Sequence, residues 1–304
     1  MMNAVFAGFD LGGTKTDVLV RTGTTSRSLR LGGGNLRLDD PEVWARRISG
    51  VFLETNPNAL PVYACVGAAG GGSPTAARAL EEALTRRLPI LQGVRVVSDT
   101  RIAWEAAFAG DPGVIVIAGT GSGCFMVDEA GREYRTGGWG PDLGDPGSGR
   151  SIGAAGIRHT LEAVESASYS LVAQRILDAI LPGTAPIGDN AASASAVLDA
   201  VYASGFIAAS LAGVVIQACE DGCPDARDLL LSEARILAGQ CDRLIARHAP
   251  SSSRIALVGG LTRLPAYAHI LEATLHAVLP DYSLQPPEHQ PVMGALKIAE
   301  RLAE

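Results

Sequence analysis

The sequence is poor in the features that mark several large classes of protein. Positive charge is in deficit: 25 Lys and Arg stand against 32 Asp and Glu, a formal net charge of −7. A surface of that sign repels nucleic acid and anionic membranes, so neither is expected as a main partner. Charged residues make up only 19% of the chain and 47% of it is hydrophobic, which excludes a disordered chain and allows a real core. Long apolar runs are missing too. No stretch reaches the about eighteen charge-poor residues of a membrane span without a Gly, Pro or charge. The start, MMNAVFAGFDLGG, puts an Asp and a glycine turn where a secretory signal needs an unbroken apolar run. A cytoplasmic protein with no membrane partner is expected.

Cysteine is scarce and scattered. Cys65, Cys124, Cys219, Cys223 and Cys241 are odd in number and suggest no disulfide framework. Cys219 and Cys223 lack a second pair or a nearby His to complete a metal site, so all five read as reduced thiols. The five histidines are spread over expected helices and loops, none in a motif.

What the chain has in plenty is glycine, 36 residues, much of it placed between apolar strands. The stretch GFDLGGTKTD, residues 8–17, comes within one residue of the nucleotide-binding P-loop pattern, because Thr14 intrudes before Lys15 and Thr16. The context fails as well. A P-loop runs from strand to helix, and here the alternating TDVLVR after the glycines reads as a second strand. The first forty residues therefore read strand, turn, strand, turn, strand. A helix follows from Pro41, then a buried strand PVYACVGAAG, a helix TAARALEEALTRRL, a strand VRVVSD and a helix from near Thr100.

The pattern then restarts. Residues 114–138 repeat the order and lengths of residues 4–33 with few identical letters, and Gly119-Thr120-Gly121-Ser122-Gly123 occupies the place of the first glycine turn. A duplicated α/β unit is expected, with a cleft between two similar domains. Helical stretches follow at about 151–181, 190–220 and 224–248, then a strand IALVGG, a helix PAYAHILEATLHAVL and a terminal helix.

A glycine hairpin turn has two readings. It is either a routine tight turn or an anion-binding nest, in which backbone N–H groups approach phosphate oxygens because no Cβ intervenes. Two such turns at matching places, with Gly259-Gly260 after a third strand, favour the nest. Thr14 and Ser122 can add hydroxyl donors. Asp10, at a strand end, can hold Mg²⁺ through water, since this ion keeps its hydration shell.

These motifs resemble those of the actin, Hsp70 and sugar kinase superfamily, and specifically the branch of N-acetylglucosamine kinases, bacterial glucosamine kinases and BadF/BadG-type ATPases. The resemblance covers nearly the whole chain. DLGGTKTD is similar to the first phosphate motif, IAGTGSG to the second, LVGGLTRLP to the adenosine motif, and GGWGPDLGDPGSG to a segment characteristic of that branch. The fold implied is α/β, two duplicated actin-like (ribonuclease H-like) domains: residues 1–112 joined by a C-terminal helix at about 291–304, and residues 113–290.

The resemblance implies roles for particular residues. Gly12, Gly13, Thr14, Lys15, Thr120, Gly121 and Ser122 would hold the phosphates of ATP, Gly259 and Gly260 would meet the nucleoside, and Asp10 would order Mg²⁺. Asp99 would take the proton of the attacking sugar hydroxyl, although read alone it is equally a helix cap. Asp145 would bind sugar hydroxyls or, read alone, form an Asx turn before Pro146. Asn35 would touch the sugar or stabilise its own loop. Gly138, Trp139 and Gly140 would line the pocket, with Trp139 either stacking on the ring or packing the loop. Ala208 would touch the base, in a region where the family's Gly-Asp-Pro is replaced by Gly222-Cys223-Pro224. Lys15 is equally a solvated turn lysine.

The activity implied is phosphorylation of the 6-hydroxyl of N-acetylglucosamine or glucosamine, by a homodimer. The alternative is a BadF-type activator ATPase whose cysteines hold an iron–sulfur cluster at a dimer interface, for which Cys124 is the residue to examine. A sugar-sensing regulator is a third reading, disfavoured by Asp99 and by the lack of a DNA-binding extension.

Overall fold

The computed structural model describes residues 4–56, 58–140, 143–188 and 194–304. The chain divides into two compact units, Met1–Pro112 with Pro286–Glu304, and Gly113–Gln285.

The first unit opens on three antiparallel strands, β1 (Val5–Leu11), β2 (Lys15–Thr22) and β3 (Thr25–Gly32). β1 is apolar on both faces and lies inside the sheet, whereas β3, with Arg27 and Arg30, lies at its edge. α1 (Pro41–Thr55) then leads to β4 (Val62–Ala68), and α2 (Pro74–Arg87) leads to β5 (Leu91–Ser98). β4 runs parallel to β1, and β5 parallel to β4, giving the order β3-β2-β1-β4-β5. Each helix start is written in the sequence. Asp40 and Ser73 accept from the first-turn amides of α1 and α2, and a proline fills the next position, where no N–H is needed. Phe9, Trp44, Ile48, Phe52, Leu80 and Leu84 form the core between sheet and helices.

After α3 (Asp99–Phe108) the second unit repeats the plan with β6 (Gly113–Ala118), β7 (Ser122–Val127) and β8 (Glu133–Gly137). β9 (Arg254–Val258), α9 (Pro265–Val278) and β10 (Ser283–Gln285) complete the order β8-β7-β6-β9-β10, with the same succession of two antiparallel and then two parallel pairs. The fold is α/β with two duplicated units, as expected. What differs is the crossover after the third strand: one helix in the first unit, and in the second α4 (Gly149–Glu165), α5 (Leu171–Ile180), α6 (Ala194–Val201), α7 (Ala212–Glu220) and α8 (Pro224–His248).

Two expectations about these elements fail. The helix drawn over 151–181 breaks at Ala167, whose φ of 50° is left-handed, and restarts behind Ser170. The helix drawn over 190–220, of which residues 190–193 lie outside the described part, is interrupted at Gly205 (φ 87°). Ala208 consequently opens a single 3₁₀ turn, Ala208–Leu211, and not a helix. β10 was not anticipated, since three residues carry too little pattern to be seen.

α10 (Pro291–Arg301) returns to the first unit and packs with backbone contact on α3 and β1. A Cβ at Gly8 would lie 2.6 Å from the Val292 carbonyl, and one at Gly294 would lie 2.7 Å from the amide of Ala106 on α3. Glu105 of α3 is fully buried and ion-paired to Arg301 of α10 at 2.7 Å.

Candidate functional site

In the first unit, the carboxyl ends of β1, β4 and β5 bring together the residues singled out from the sequence. Asp10 on β1 stands in register with Gly67 of β4, and Ser98 of β5 with Ala68, so only the small residues of GAAGGG, 67–72, separate Asp10 from Asp99. Ligands in open α/β sheets bind outside such strand ends.

Asp99 does not cap its helix. Ser98 holds that position, its hydroxyl accepting from the amide of Arg101 at 3.1 Å, and Asp99 is the first residue of the helix proper. Its Oδ1 accepts from the Thr100 amide at 2.9 Å. Asp99 is open to solvent yet ringed by protein, and that surrounding mass raises its pKa against the opposing pull of its hydrogen bonds. A carboxylate that is both reachable and reluctant to stay charged is a chemically competent proton acceptor.

The Asp10 carboxyl is pushed up to about 6, first by burial and then by the charges of Asp99 and Asp17, with Lys15 opposing. It makes no hydrogen bond among the described residues. An underserved carboxylate beside another acid suits a divalent cation. Among the described residues no three His, Cys, Asp or Glu side chains gather around a common point. Mg²⁺ held here would keep water and phosphate oxygens in its shell, as it ordinarily does.

The first glycine turn is a cradle. Gly12 donates to the Lys15 carbonyl at 3.0 Å, and the amides of Gly13 and Thr14 donate to nothing among the described residues. A side chain at Gly33 would be driven into the turn, 2.5 Å from the Gly13 carbonyl. Lys15 points along its strand to Asp17 at 2.6 Å, which Arg30 also holds. Asn35 is held in its loop: its amide donates to Asp39 at 2.8 Å and its Oδ1 accepts from Arg37 at 2.9 Å, which leaves its Nδ2 free to donate among the described residues.

The second unit has the matching turn. Gly119 donates to the Gly121 carbonyl at 2.9 Å, and the amides of Thr120 and Gly121 have no acceptor among the described residues. Gly259, at φ 119°, is pressed against this turn, since a Cβ there would lie 2.7 Å from the Ala118 carbonyl carbon; Gly260 follows beside it. The Ser122 hydroxyl, expected as a further donor to phosphate, is spent on the Pro146 carbonyl at 2.6 Å.

The stretches Gly137–Gly140 and Leu143–Ser148 lie on that turn. Asp145 is buried in the left-handed region (φ 63°), accepts from Gly140 at 3.3 Å, and its Oδ2 is 2.9 Å from where a Cβ on Gly121 would stand. A buried carboxylate with one long hydrogen bond among the described residues wants donors. Trp139 is 64% exposed, its ring near Gly144 and not in the core. Gly138 and Gly140 flank it, both with positive φ. Ala208 lies against α4, where Gly153 leaves room for its carbonyl.

Sequence reasoning missed Ser98, Gly33, and the residues beneath the Gly137–Ser148 segment, namely Glu233, Gln240 and Tyr267. Glu233 and Gln240 did leave a signal: an acid and an amide inside the apolar stripe Leu230, Ala234, Leu237, Cys241, Leu244 of α8.

Two duplicated sheets of the same strand order, each with a glycine turn after its first strand, define the actin-like fold class. The family model described as the BadF/BadG/BcrA/BcrD ATPase family matches residues 7–299, and the chain belongs to that family. It is 38% identical over 101 residues to an N-acetylmuramic acid/N-acetylglucosamine kinase of Clostridium acetobutylicum, 33% of each chain. It is 49% identical over 51 residues to an N-acetyl-D-glucosamine kinase of Dictyostelium discoideum, 17% of this chain and 16% of the relative. These alignments therefore span a third and about a sixth of the relatives' lengths. The crystal structure of a candidate N-acetylglucosamine kinase from Chromobacterium violaceum has the same fold, with a TM-score of 0.76 at 23% identity over 97% of this chain and 98% of that one. A ROK family glucokinase from Streptomyces griseus, solved with glucose and AMPPNP, gives 0.58 at 18% over 98% of each chain. No helix among the described residues is long and apolar enough to cross a membrane.

Proposed function

We propose that the protein is an ATP-dependent kinase that phosphorylates the 6-hydroxyl of an amino sugar, N-acetylglucosamine first and glucosamine second. One observation carries the reading: Asp99 is relieved of capping by Ser98, reachable from solvent, raised in pKa, and set at a strand end beside Asp10. Asp99 accepts the proton of the sugar hydroxyl as its oxygen bonds to the γ-phosphorus and the bond from that phosphorus to the β-bridging oxygen breaks. Mg²⁺, when bound, neutralises phosphate charge, and Asp10 with its water would hold it. The amides of Gly13 and Thr14 in the first unit, and of Thr120 and Gly121 in the second, free among the described residues, bind phosphate oxygens. Lys15, the first residue of β2 after the first turn, adds positive charge. Gly259, Gly260 and Ala208 meet the nucleoside.

Asp145, Asn35 and the Gly138-Trp139-Gly140 run bind the sugar, whose hydroxyls supply the donors that Asp145 lacks. The names of the two aligned kinases support an N-acetylated hexosamine as substrate. A homodimer in the cytoplasm belongs to the same proposal. The activator reading has less support, because Cys124 is buried in the core of its unit against Cys241 and Leu237, away from any surface where subunits could share a cluster.

The test is ADP release with Mg-ATP across N-acetylglucosamine, glucosamine, N-acetylmannosamine, glucose and no sugar. Turnover that depends on an amino sugar is expected. Turnover indifferent to every sugar would overturn the proposal.

A further inference from the structure

The stretches Gly137–Gly140 and Leu143–Ser148 ought to be loose. Together they contain five glycines, and Gly137, Gly138, Gly140, Gly147 and also Asp145 have positive φ. Fixing such backbone costs on the order of 1–2 kcal/mol per residue, so its conformation has to be imposed from outside.

The imposition comes from one face of α8 and one residue of α9. Glu233, Leu237 and Gln240 follow the i, i+4, i+7 spacing that puts side chains on one helix face. Glu233 Oε2 accepts from the amide of Gly147 at 2.7 Å. The Tyr267 hydroxyl of α9 donates to the carbonyl of the same residue at 2.9 Å. A Cβ on Gly147 would collide with both supports, 2.7 Å from the Tyr267 hydroxyl and 2.9 Å from Leu237. At the other end of the segment, Gln240 Oε1 occupies the space beside Gly137, 2.5 Å from where a Cβ would stand. Tyr267 and Glu233 are 0 and 6% exposed, so no water competes for these bonds. Burial, and then the neighbouring Glu233 charge, raise the Tyr267 pKa and keep its hydroxyl a donor. Glu233 makes no ion pair among the described residues. A buried acid without a cation is a poor stabiliser; what it supplies is an acceptor at a fixed point.

We propose that Glu233 and Tyr267 are positioning residues, which set Asp145 and Trp139 by gripping the two peptide groups of Gly147. Ser122, donating to Pro146, ties the gripped segment to the second glycine turn, and Gly149 donating to Gly119 at 2.8 Å ties the start of α4 to it as well. The turn keeps its own strand ladder, Ala118 facing Ser122, and does not depend on the grip. The kinetic consequence rests on the sugar-kinase reading; the grip itself does not.

Hydrogen–deuterium exchange on the full chain decides the grip. Tyr267→Phe and Glu233→Leu are expected to speed exchange of peptides covering 137–148 by about tenfold or more, the equivalent of one net hydrogen bond. Peptides of β6, β7 and β9 should stay at the wild-type rate, and Glu233→Gln, which keeps an acceptor oxygen, should stay close to it throughout. Unchanged exchange over 137–148 in Tyr267→Phe, or an increase shared by the whole unit, would overturn the proposal. In ADP release, Tyr267→Phe should raise the KM for the sugar about tenfold and leave the KM for ATP within about twofold. Equal rises in both would overturn the positioning role. A wild-type chain with no sugar-dependent turnover would instead refute the kinase reading, and the exchange result would still stand for or against the grip.

Discussion

Asp10 carries a cost that can be measured without any substrate. Its carboxyl is pushed up to about 6 by burial and by the charges of Asp99 and Asp17. Below about pH 4 an aspartate is protonated whether the chain is folded or not, so no penalty exists there. Between about pH 4 and 6 the unfolded chain releases the proton while the folded one retains it, and folding stability falls as pH rises. Above about pH 6 the penalty is complete, at about 3 kcal/mol for a shift of this size, and at pH 5 it is about half that. Asp10→Asn removes the charge with little change of shape. Urea unfolding in EDTA should show Asp10→Asn more stable than wild type by up to about 3 kcal/mol at pH 8, with the gain roughly halved at pH 5 and gone near pH 3.5. The same variant should lose Mg-ATP-dependent turnover, which makes Asp10 a residue where stability is given up for function. A variant no more stable than wild type at pH 8, or a gain that does not shrink on acidification, would refute this account of the site's electrostatics.

Other consequences follow from packing and caps. Gly294→Ala should cost roughly 2–3 kcal/mol in urea unfolding, because the new methyl meets the backbone of α3 and cannot be accommodated by a rotamer change; a loss under about 0.5 kcal/mol would contradict the close approach of α10. Ser98→Ala removes the cap of α3 and should cost about 1 kcal/mol, with a fall in kcat, since Asp99 follows it directly. Trp139→Ala should leave the melting temperature within about 1 °C, the ring being exposed and not in the core, while raising the KM for the sugar if the ring stacks on it. An unchanged KM would assign Trp139 to the loop alone.

What the sequence discloses about this fold is what depends on near neighbours. The hairpins at 5–32 and 113–137 are legible because alternation and glycine turns are local signals, and the helix starts at Pro41 and Pro74 because Asp-Pro and Ser-Pro are read within three residues. The breaks at Ala167 and Gly205 were less legible, since flanking apolar periodicity continues through them. The site divides in the same way. Asp10, Asp99 and both glycine turns sit at strand ends, where a sequence pattern can place them. The choice between Ser98 and Asp99 as cap could not be read, because both residue types cap equally well and only geometry separates them. Glu233 and Tyr267 meet Gly147 across 86 and 120 residues of chain, a distance at which no spacing rule operates.

The most direct test of the central claim is single-turnover transfer of the γ-phosphoryl group to N-acetylglucosamine by wild type and by Asp99→Asn, with the product's phosphate position read by phosphorus–proton NMR. The expected result is a 6-phosphate formed by wild type and a rate reduced by about 10²–10⁴ in the variant, the range for loss of a general base, with sugar binding retained. A variant that transfers phosphate at the wild-type rate, or a phosphate at another hydroxyl, would contradict the account.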